Sequence, residues 1–404
     1  MIEYLARSLS ALQCKQERIG TLLDLNLLCG GRSLEHAISC GMYDYMRERL
    51  ADVDSKDLRL CTVFYIDRQG RLLHLRVGNG PLPPLSEVRE RGTVSSLLEL
   101  AGLMAASGAF TFSLLQGQDG EDGTIQGVGR FFDLPCNCAP PGVVGLAFDK
   151  DKQSLLAEAM CPTLLEPMRG VCVQATQWQQ HRVELNRLIG QACVLKPNQA
   201  GSSYGVQLCE NLTESYIAEY AAAVSEYDDW FVVQPYIEGR EITVGVLWSP
   251  EAEEFIDLPI IEIRTTGKVF DFAEKWSSGT LNLSFIEPAD ESSKKAEQVS
   301  RHLFRSLGFL THARFDYRID NSGRIFFLEV NTSPGLMESS LFTKMLLAKG
   351  LSVVDLIRVA YIHYCQRHKR EQMKRRTIAA IRGAGHERDV MGSLEKPPAP
   401  QSGR

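Results

Sequence analysis

Two apolar runs near the C-terminus, "THARFDYRID" at 311–320 and "RIFFLEVN" at 324–331, constrain this chain more than any other stretch. Both are rich in aromatic and branched residues, and "DNSG" at 320–323 is a tight-turn sequence, so they read as a hairpin. Side chains alternate along a strand. Arg314 and Asp316 therefore share a face opposite Phe315, and Glu329 and Asn331 share one opposite Leu328 and Val330. A two-residue loop at Asn321 and Ser322 sets Arg314 across from Glu329, with Asp316 on the diagonal. A solvent-facing ion pair would explain this polar face. So would a cation site, because two carboxylates and an amide are the oxygen donors that magnesium takes, and an adjacent arginine meets an anion.

The stretch "VLKPNQAGSSYGV" at 194–206 bears on that choice. Lys196 ends an apolar strand, and Gly201, Ser202, Ser203 and Gly205 can bring backbone N–H groups close to phosphate oxygens. The spacing fits neither a Walker loop nor a dinucleotide fingerprint. Alone, it could equally be a plain hairpin turn. A lysine-led phosphate loop followed by a strand of magnesium ligands points to an ATP site.

The remaining pattern is α/β. "TLLDLNLLCGG", "LCTVFYID" and "GAFTFSLLQG" read as strands with Gly-rich ends, and "SLEHAISCGMYDYMRERL" as a helix with Ser33 at its N-cap. The expected units are a helical extension over 1–20, a parallel-sheet α/β domain over 21–138, a central unit over 139–233, a C-terminal unit over 234–364, and a basic tail over 365–404. The tail begins as a helical extension and frays into a Pro/Gly/Ser-rich disordered end. A chain of 404 residues accommodates two or three such domains. The net charge of −6 gives no global sign of a nucleic-acid or membrane surface. No apolar run approaches the roughly 20 residues of a membrane span. The N-terminus, with Glu3 and no long apolar core, does not read as a secretory signal. Eleven scattered cysteines, of which only Cys136 and Cys138 sit close, read as reduced cytosolic thiols and not as a zinc site. These points lead to the cytoplasm as the expected location.

With these residues in view, the chain resembles the ATP-grasp superfamily, and most closely its D-alanine–D-alanine ligase family. The resemblance covers nearly all of residues 21–361. It rests on ordered motifs: "GGRSLEHAIS", "GEDGTIQG", "DKDKQ", "VLKPNQAGSSYGV", "YIEGREITVGVL", "FDFAEKW", "ARFDYRID" and "LEVNTSPGLMESSL". It implies a three-domain architecture and peptide-bond formation driven by ATP with two magnesium ions, manganese being an alternative. Lys150 and Lys196 match lysines that hold the ATP phosphates, beside Ser203 of the loop. Gln234 to Ile237 match the adenine hinge, and Glu241 the acid on the ribose. Lys275 matches a closing-loop lysine, and Arg314 the arginine of the transition state. Asp316, Glu329 and Asn331 match the metal ligands. Glu35 matches the acid that receives the first amino acid's ammonium group, and Ser202 the serine that orients the closing loop. Ser340 and Leu341, beside Gly335, match the residues that bind the second substrate's carboxylate.

Departures from the family pattern gather around the amino-acid sites. Trp276 stands where a tyrosine is usual, Gln116 where a histidine lies near the first substrate, and Ala37 where a second acid is usual. Gln234 replaces an acid at the adenine, where an amide oxygen can still accept. The resemblance thus implies a cytoplasmic cell-wall ligase acting on small amino acids. A divergent amino-acid ligase of specialised metabolism, or a catalytically silent nucleotide-binding protein, stays open. So does a homodimer. A nucleic-acid role for the basic tail is not expected, since a charge run is usually a solvated face.

Overall fold

Three sheets organise the residues described by a computed structural model of the protein, which are 22–383 apart from 52, 54–56, 79, 138, 265–281 and 287–289. The first sheet comprises β1 (Leu23–Gly30), β2 (Leu58–Ile66), β3 (Leu72–Arg76), β4 (Thr93–Ser95) and β5 (Phe110–Ser113), in the order β4-β3-β2-β1-β5. β1 is parallel to β2 and β5, while β3 and β4 add antiparallel at one edge. The near-continuous burial of β1 suits a parallel strand covered on both faces. Asn26, buried within it, donates to Thr111 Oγ1 on β5 at 3.2 Å. β1 ends at Gly30 with φ +88°, where a Cβ would lie 2.1 Å from the Ile66 carbonyl oxygen, so the turn demands glycine. The helix that follows is His36–Leu50. Its N-cap position is Glu35, not Ser33. Ser33 turns inward instead, donating to the Gln116 carbonyl at 2.7 Å and accepting from the Glu35 N–H at 3.2 Å.

The second sheet is antiparallel, in the order β6-β9-β7-β8, from β6 (Val171–Gln174), β7 (Cys193–Pro197), β8 (Gln207–Cys209) and β9 (Trp230–Pro235). The helix Glu214–Val224 covers it, packing Ile217 and Val224 on Leu195, Phe231 and Val233. The third sheet holds β10 (Gly239–Ser249), β11 (Glu254–Ile256), β12 (Ile260–Arg264), β13 (Asn282–Ile286), β14 (His312–Asp320) and β15 (Ile325–Asn331). Its order is β13-β12-β10-β14-β15, with β11 paired to β10. The helices Pro141–Phe148 and Lys150–Met160 pack on β15, and Ala147, Ala157 and Leu165 join Val244, Phe315 and Val330 in one core. The start of the central unit therefore packs with the C-terminal sheet, because its apolar side chains are buried there.

One apolar cluster spans the N- and C-terminal units. Leu25, Met42 and Phe110 belong to it together with Leu247, Phe342, Met345 and Ile357. The last helix, Val353–Gly383, seals this contact with Tyr361 and Tyr364 against Phe110, at ring-centroid distances of 5.4 and 5.8 Å. The boundary expected at 364 falls inside that helix. The extension over 1–20 and the tail beyond 383 lie outside the described residues.

Candidate active site

The hairpin forms, but in a different register from the one expected. Gly323 takes φ +84° and its N–H donates to the Asp320 carbonyl at 2.9 Å, while the Asp320 N–H donates to the Arg324 carbonyl at 3.0 Å. The loop thus holds three residues, a length that uses a left-handed glycine. A bulge follows between Asp316 and Tyr317 on one strand and Glu329 and Phe327 on the other, leaving Leu328 as the extra residue. Together these set Arg314 across from Asn331 and Asp316 directly across from Glu329. The bulge also breaks strict alternation. Phe327 and Val330 enter the core, and Leu328 and Glu329 both line the cleft.

Arg314 and Asp316 are buried, and Glu329 and Asn331 half-buried, so the face is not a solvated one. The Arg314 guanidinium is bidentate to Asp316, Nε to Oδ1 at 3.0 Å and Nη2 to Oδ2 at 2.8 Å. Burial alone would weaken the Arg314 charge; the Asp316 carboxylate more than reverses this and raises its pKa. Thr243 on β10 donates to Asp316 Oδ1 at 2.5 Å. Asn331 Nδ2 reaches Asp316 Oδ2 at 3.4 Å and Glu329 Oε1 at 3.2 Å.

Arg314, Asp316 and Glu329 form one wall of a cleft. Lys150, Lys196, Ser203, Gln234, Ile237, Glu241 and Leu341 line the same cleft. Lys150 opens its helix, donates to the Ala200 carbonyl at 2.5 Å and lies 3.7 Å from Glu329. Lys196, next to last in β7, donates to the Leu328 carbonyl at 3.3 Å. Burial pushes its ammonium group down to about 8, against the pull of Glu329. Burial pushes Glu241 up to about 7, against Arg318. Arg318 holds the far end of the cleft together, donating to the Ile237 carbonyl at 2.8 Å, Tyr236 Oη at 2.8 Å and Glu241 at 3.2 Å.

A smaller cavity adjoins the cleft, and Lys150, Ala200 and Glu329 line both. Asn331, Gly201 and Glu121 also border it. Nearby, Ser202 Oγ donates to Glu35 and so ties the Gly-rich loop after β7 to the N-terminal unit. Glu35 is packed between two glycines. A Cβ on Gly201 would lie 2.4 Å from its Oε2, and one on Gly117 would lie 2.6 Å from the same oxygen. Ser202 and Ser203 bend the loop through φ +54° and +58°, conformations that L side chains rarely adopt. Gly335 sits against Ser340, whose Oγ accepts the Met337 N–H at 3.1 Å at the start of the helix Leu341–Ala348.

Most of the residues singled out in the sequence thus converge on two adjoining cavities. Lys275 and Trp276 lie outside the described residues. Gln116 points its amide at Ser333, at 3.0 Å to the carbonyl and 3.3 Å to Oγ. Three participants were missed. Arg318 follows Arg314 and Asp316 at strand period two, so alternation could have found it. Glu121 sits in the quoted "GEDG" motif; it accepts the Gly117 N–H at 2.8 Å, and burial, then the neighbouring Glu35, push it up to about 8. Gln153 accepts the Val330 N–H at 2.6 Å and fixes the Lys150 helix to β15. It closes the quoted "DKDKQ" motif, but no periodicity or spacing pointed to its role.

Comparison with known proteins places this geometry. Residues 167–360 match the family model described as the D-ala D-ala ligase C-terminus. The D-alanine–D-alanine ligase of Aquifex aeolicus is 31% identical over 251 residues, covering 61% of this chain and 80% of that one. That of Bacillus cytotoxicus is 26% identical over 380 residues, covering 89% and 100%. The solved structure of the D-alanine–D-alanine ligase from Coxiella burnetii superimposes with a TM-score of 0.68 at 22% identity, covering 89% of this chain and 99% of that one. The VanG D-Ala:D-Ser ligase from Enterococcus faecalis also gives 0.68 at 22% identity, covering 85% and 100%. The structural likeness carries the ATP-grasp fold, and the sequence match carries the kinship: this chain belongs to the D-alanine–D-alanine ligase family.

Proposed function

We propose that this protein is an ADP-forming carboxylate–amine ligase that joins two amino acids through an acyl phosphate, with D-alanine the leading candidate at both positions. One observation carries the reading. Glu329, beside the buried Arg314–Asp316 pair, borders both the cleft lined by Lys196, Gln234 and Glu241 and the smaller cavity near Glu35. A phosphoryl group held at that shared wall would face a carboxylate arriving from the other side.

The chain's own residues supply most of what the reaction needs. Lys150 and Lys196 hold phosphate oxygens, while Gln234 and Ile237 receive the adenine and Glu241 the ribose. Glu35 takes the ammonium group of the first amino acid and aims its carboxylate at the γ-phosphorus. Arg314 is preorganised countercharge for the oxygens as the acyl phosphate forms and again as the second amine attacks and phosphate leaves. Gly335, Ser340 and the N–H of Leu341, at a helix N-terminus, receive the second carboxylate. Asp316, Glu329 and Asn331 are hard oxygen donors on adjacent strands and fit magnesium or manganese. A cation held there would neutralise charge on the β- and γ-phosphates.

The test is ADP release with D-alanine and with a panel of D- and L-amino acids, with products read by mass spectrometry. D-alanyl-D-alanine as the main product supports the leading reading. A different dipeptide supports the divergent ligase. No ADP release with any amino acid would leave the protein a nucleotide binder and sink the proposal.

A further inference from the structure

We infer that Gln116 is a positioning residue, a clasp that holds the loop after β15 in place across the boundary between the N- and C-terminal units. The clause that this loop receives a substrate carboxylate rests on the ligase reading above; the clasp itself does not. Gln116 is buried, and its Nε2 faces the Ser333 carbonyl at 3.0 Å, Ser333 Oγ at 3.3 Å and the Leu115 carbonyl at 3.3 Å. Carbonyl oxygens only accept, so the amide must present its nitrogen to them, and the two hydrogens of that nitrogen bridge 217 positions of sequence. The other end of the residue is anchored as well. Its backbone carbonyl accepts Ser33 Oγ at 2.7 Å, and Ser33 Oγ accepts the Glu35 N–H at 3.2 Å. A chain of bonds therefore runs from Glu35 through Ser33 and Gln116 to Ser333, two residues from Gly335. A second contact supports it: Gly41 of the N-terminal helix lies against Met337 of the same loop, where a Cβ would come within 2.7 Å of the sulfur.

This geometry assigns Gln116 a role different from direct substrate contact. Its amide hydrogens are directed to the protein's own loop, so it links the site of the first ammonium group to the site of the second carboxylate. Removing the amide leaves the Ser333 carbonyl without a buried donor, a defect that corresponds to roughly a 10- to 100-fold change in the population of the ordered loop.

The experiment uses full-length Gln116→Met, which keeps length and apolar volume without donors, and Gln116→Glu, which places acceptors against the same carbonyl. Hydrogen exchange of the ligand-free protein reads the clasp without turnover. Exchange at residues 333 and 335–340 should accelerate about 10-fold or more in both variants, while β7 and the nucleotide affinity stay within about twofold. In steady-state kinetics KM for an amino acid should rise about 10-fold or more, with KM for ATP unchanged. Ser33→Ala combined with Gln116→Met should be non-additive, because both cut one chain of bonds. Unchanged exchange in the loop with a raised amino-acid KM would make Gln116 a direct substrate contact and overturn the clasp. Unchanged exchange with unchanged KM would overturn it too. If the wild type proves inactive while the loop still loosens, the clasp stands and the ligase reading falls.

Discussion

Glu329 lies where chemistry and fold pull against each other, since a carboxylate in a half-buried strand is tolerated only where partners compensate it. Period-two alternation was enough to gather Arg314, Asp316, Glu329 and Asn331 on one face, and that part of the site was legible in the sequence. The facing of Leu328 was not, because a bulge cannot be read from alternation. Glu329→Gln keeps volume but removes the anionic oxygen that would hold a cation, so it should lower turnover at least ~1,000-fold, the scale of losing that cation's countercharge at a reacting phosphate. Its melting temperature should stay within a few degrees of wild type. Near-wild-type ADP release at ordinary magnesium would remove Glu329 from the site. Lys196 makes a prediction about pH. Its pKa is depressed to about 8, and a polyphosphate beside the ammonium group must raise it. Nucleotide binding above pH 8 should therefore take up a proton, and affinity should fall by up to about tenfold per pH unit as pH rises through 8. Calorimetry in buffers of differing ionisation enthalpy measures that uptake; proton release at pH 8.5 would contradict it.

At the scale of elements, the Gly-rich loop after β7 and the last described helix are the informative pieces. The loop "NQAGSSYGV" was recognisable by its glycines. What those glycines serve became visible only in three dimensions, because Gly201 makes room for Glu35, a residue 166 positions away. Gly201→Ala should force the Glu35 carboxylate or the loop aside, lowering kcat/KM for the first amino acid by roughly 100-fold, or about 2.7 kcal/mol in transition-state binding. Unfolding free energy should change far less, by about 1 kcal/mol or under. Activity within threefold of wild type would show that the loop relaxes freely. The hairpin register shows why the sequence pattern of β14 and β15 is only partly legible: Arg314, Asp316, Glu329 and Asn331 do share one face, but Arg314 pairs with Asn331 and not with Glu329, because loop length and bulge depend on Gly323 adopting a left-handed φ, which "DNSG" permits without dictating. The basic run after Arg367 is expected to begin as a helix and fray into a disordered end; the helix persists to Gly383, and the residues beyond it lie outside those described. Its charges meet the body at Asp133, 2.9 Å from Arg375 and 3.5 Å from His368, and these ion pairs are largely exposed. Exposed pairs contribute about 0–1 kcal/mol. A chain ending after Arg367 keeps Tyr361, Tyr364 and the bond from Gln366 Nε2 to the Pro250 carbonyl, so it should retain activity and lose no more than about 1 kcal/mol of stability. Failure of that truncation to fold would show that the helical arm is part of the structural core.

At the scale of the whole molecule, the units meet around the reaction centre, and this is what the sequence showed least. The N-terminal unit brings Glu35 and Gln116, the central sheet brings Lys196 and Ser202, and the C-terminal sheet brings Arg314, Asp316 and Glu329. Motif order along the chain indicated which residues belong together, through likeness to a known family. It did not indicate that helices at 141–160 pack with the C-terminal sheet, because their apolar faces carry no label of the partner that buries them. The central claim is that ATP activates one amino acid's carboxylate before the second attacks. If an acyl phosphate forms, the leaving phosphate carries away one carboxylate oxygen. The direct measurement supplies D-alanine, or whichever amino acid the ADP-release panel selects, with both carboxylate oxygens as ¹⁸O, and determines the mass of the inorganic phosphate released with the dipeptide. The account predicts one ¹⁸O atom in each phosphate. Phosphate free of ¹⁸O, formed at the same rate as the dipeptide, would contradict it.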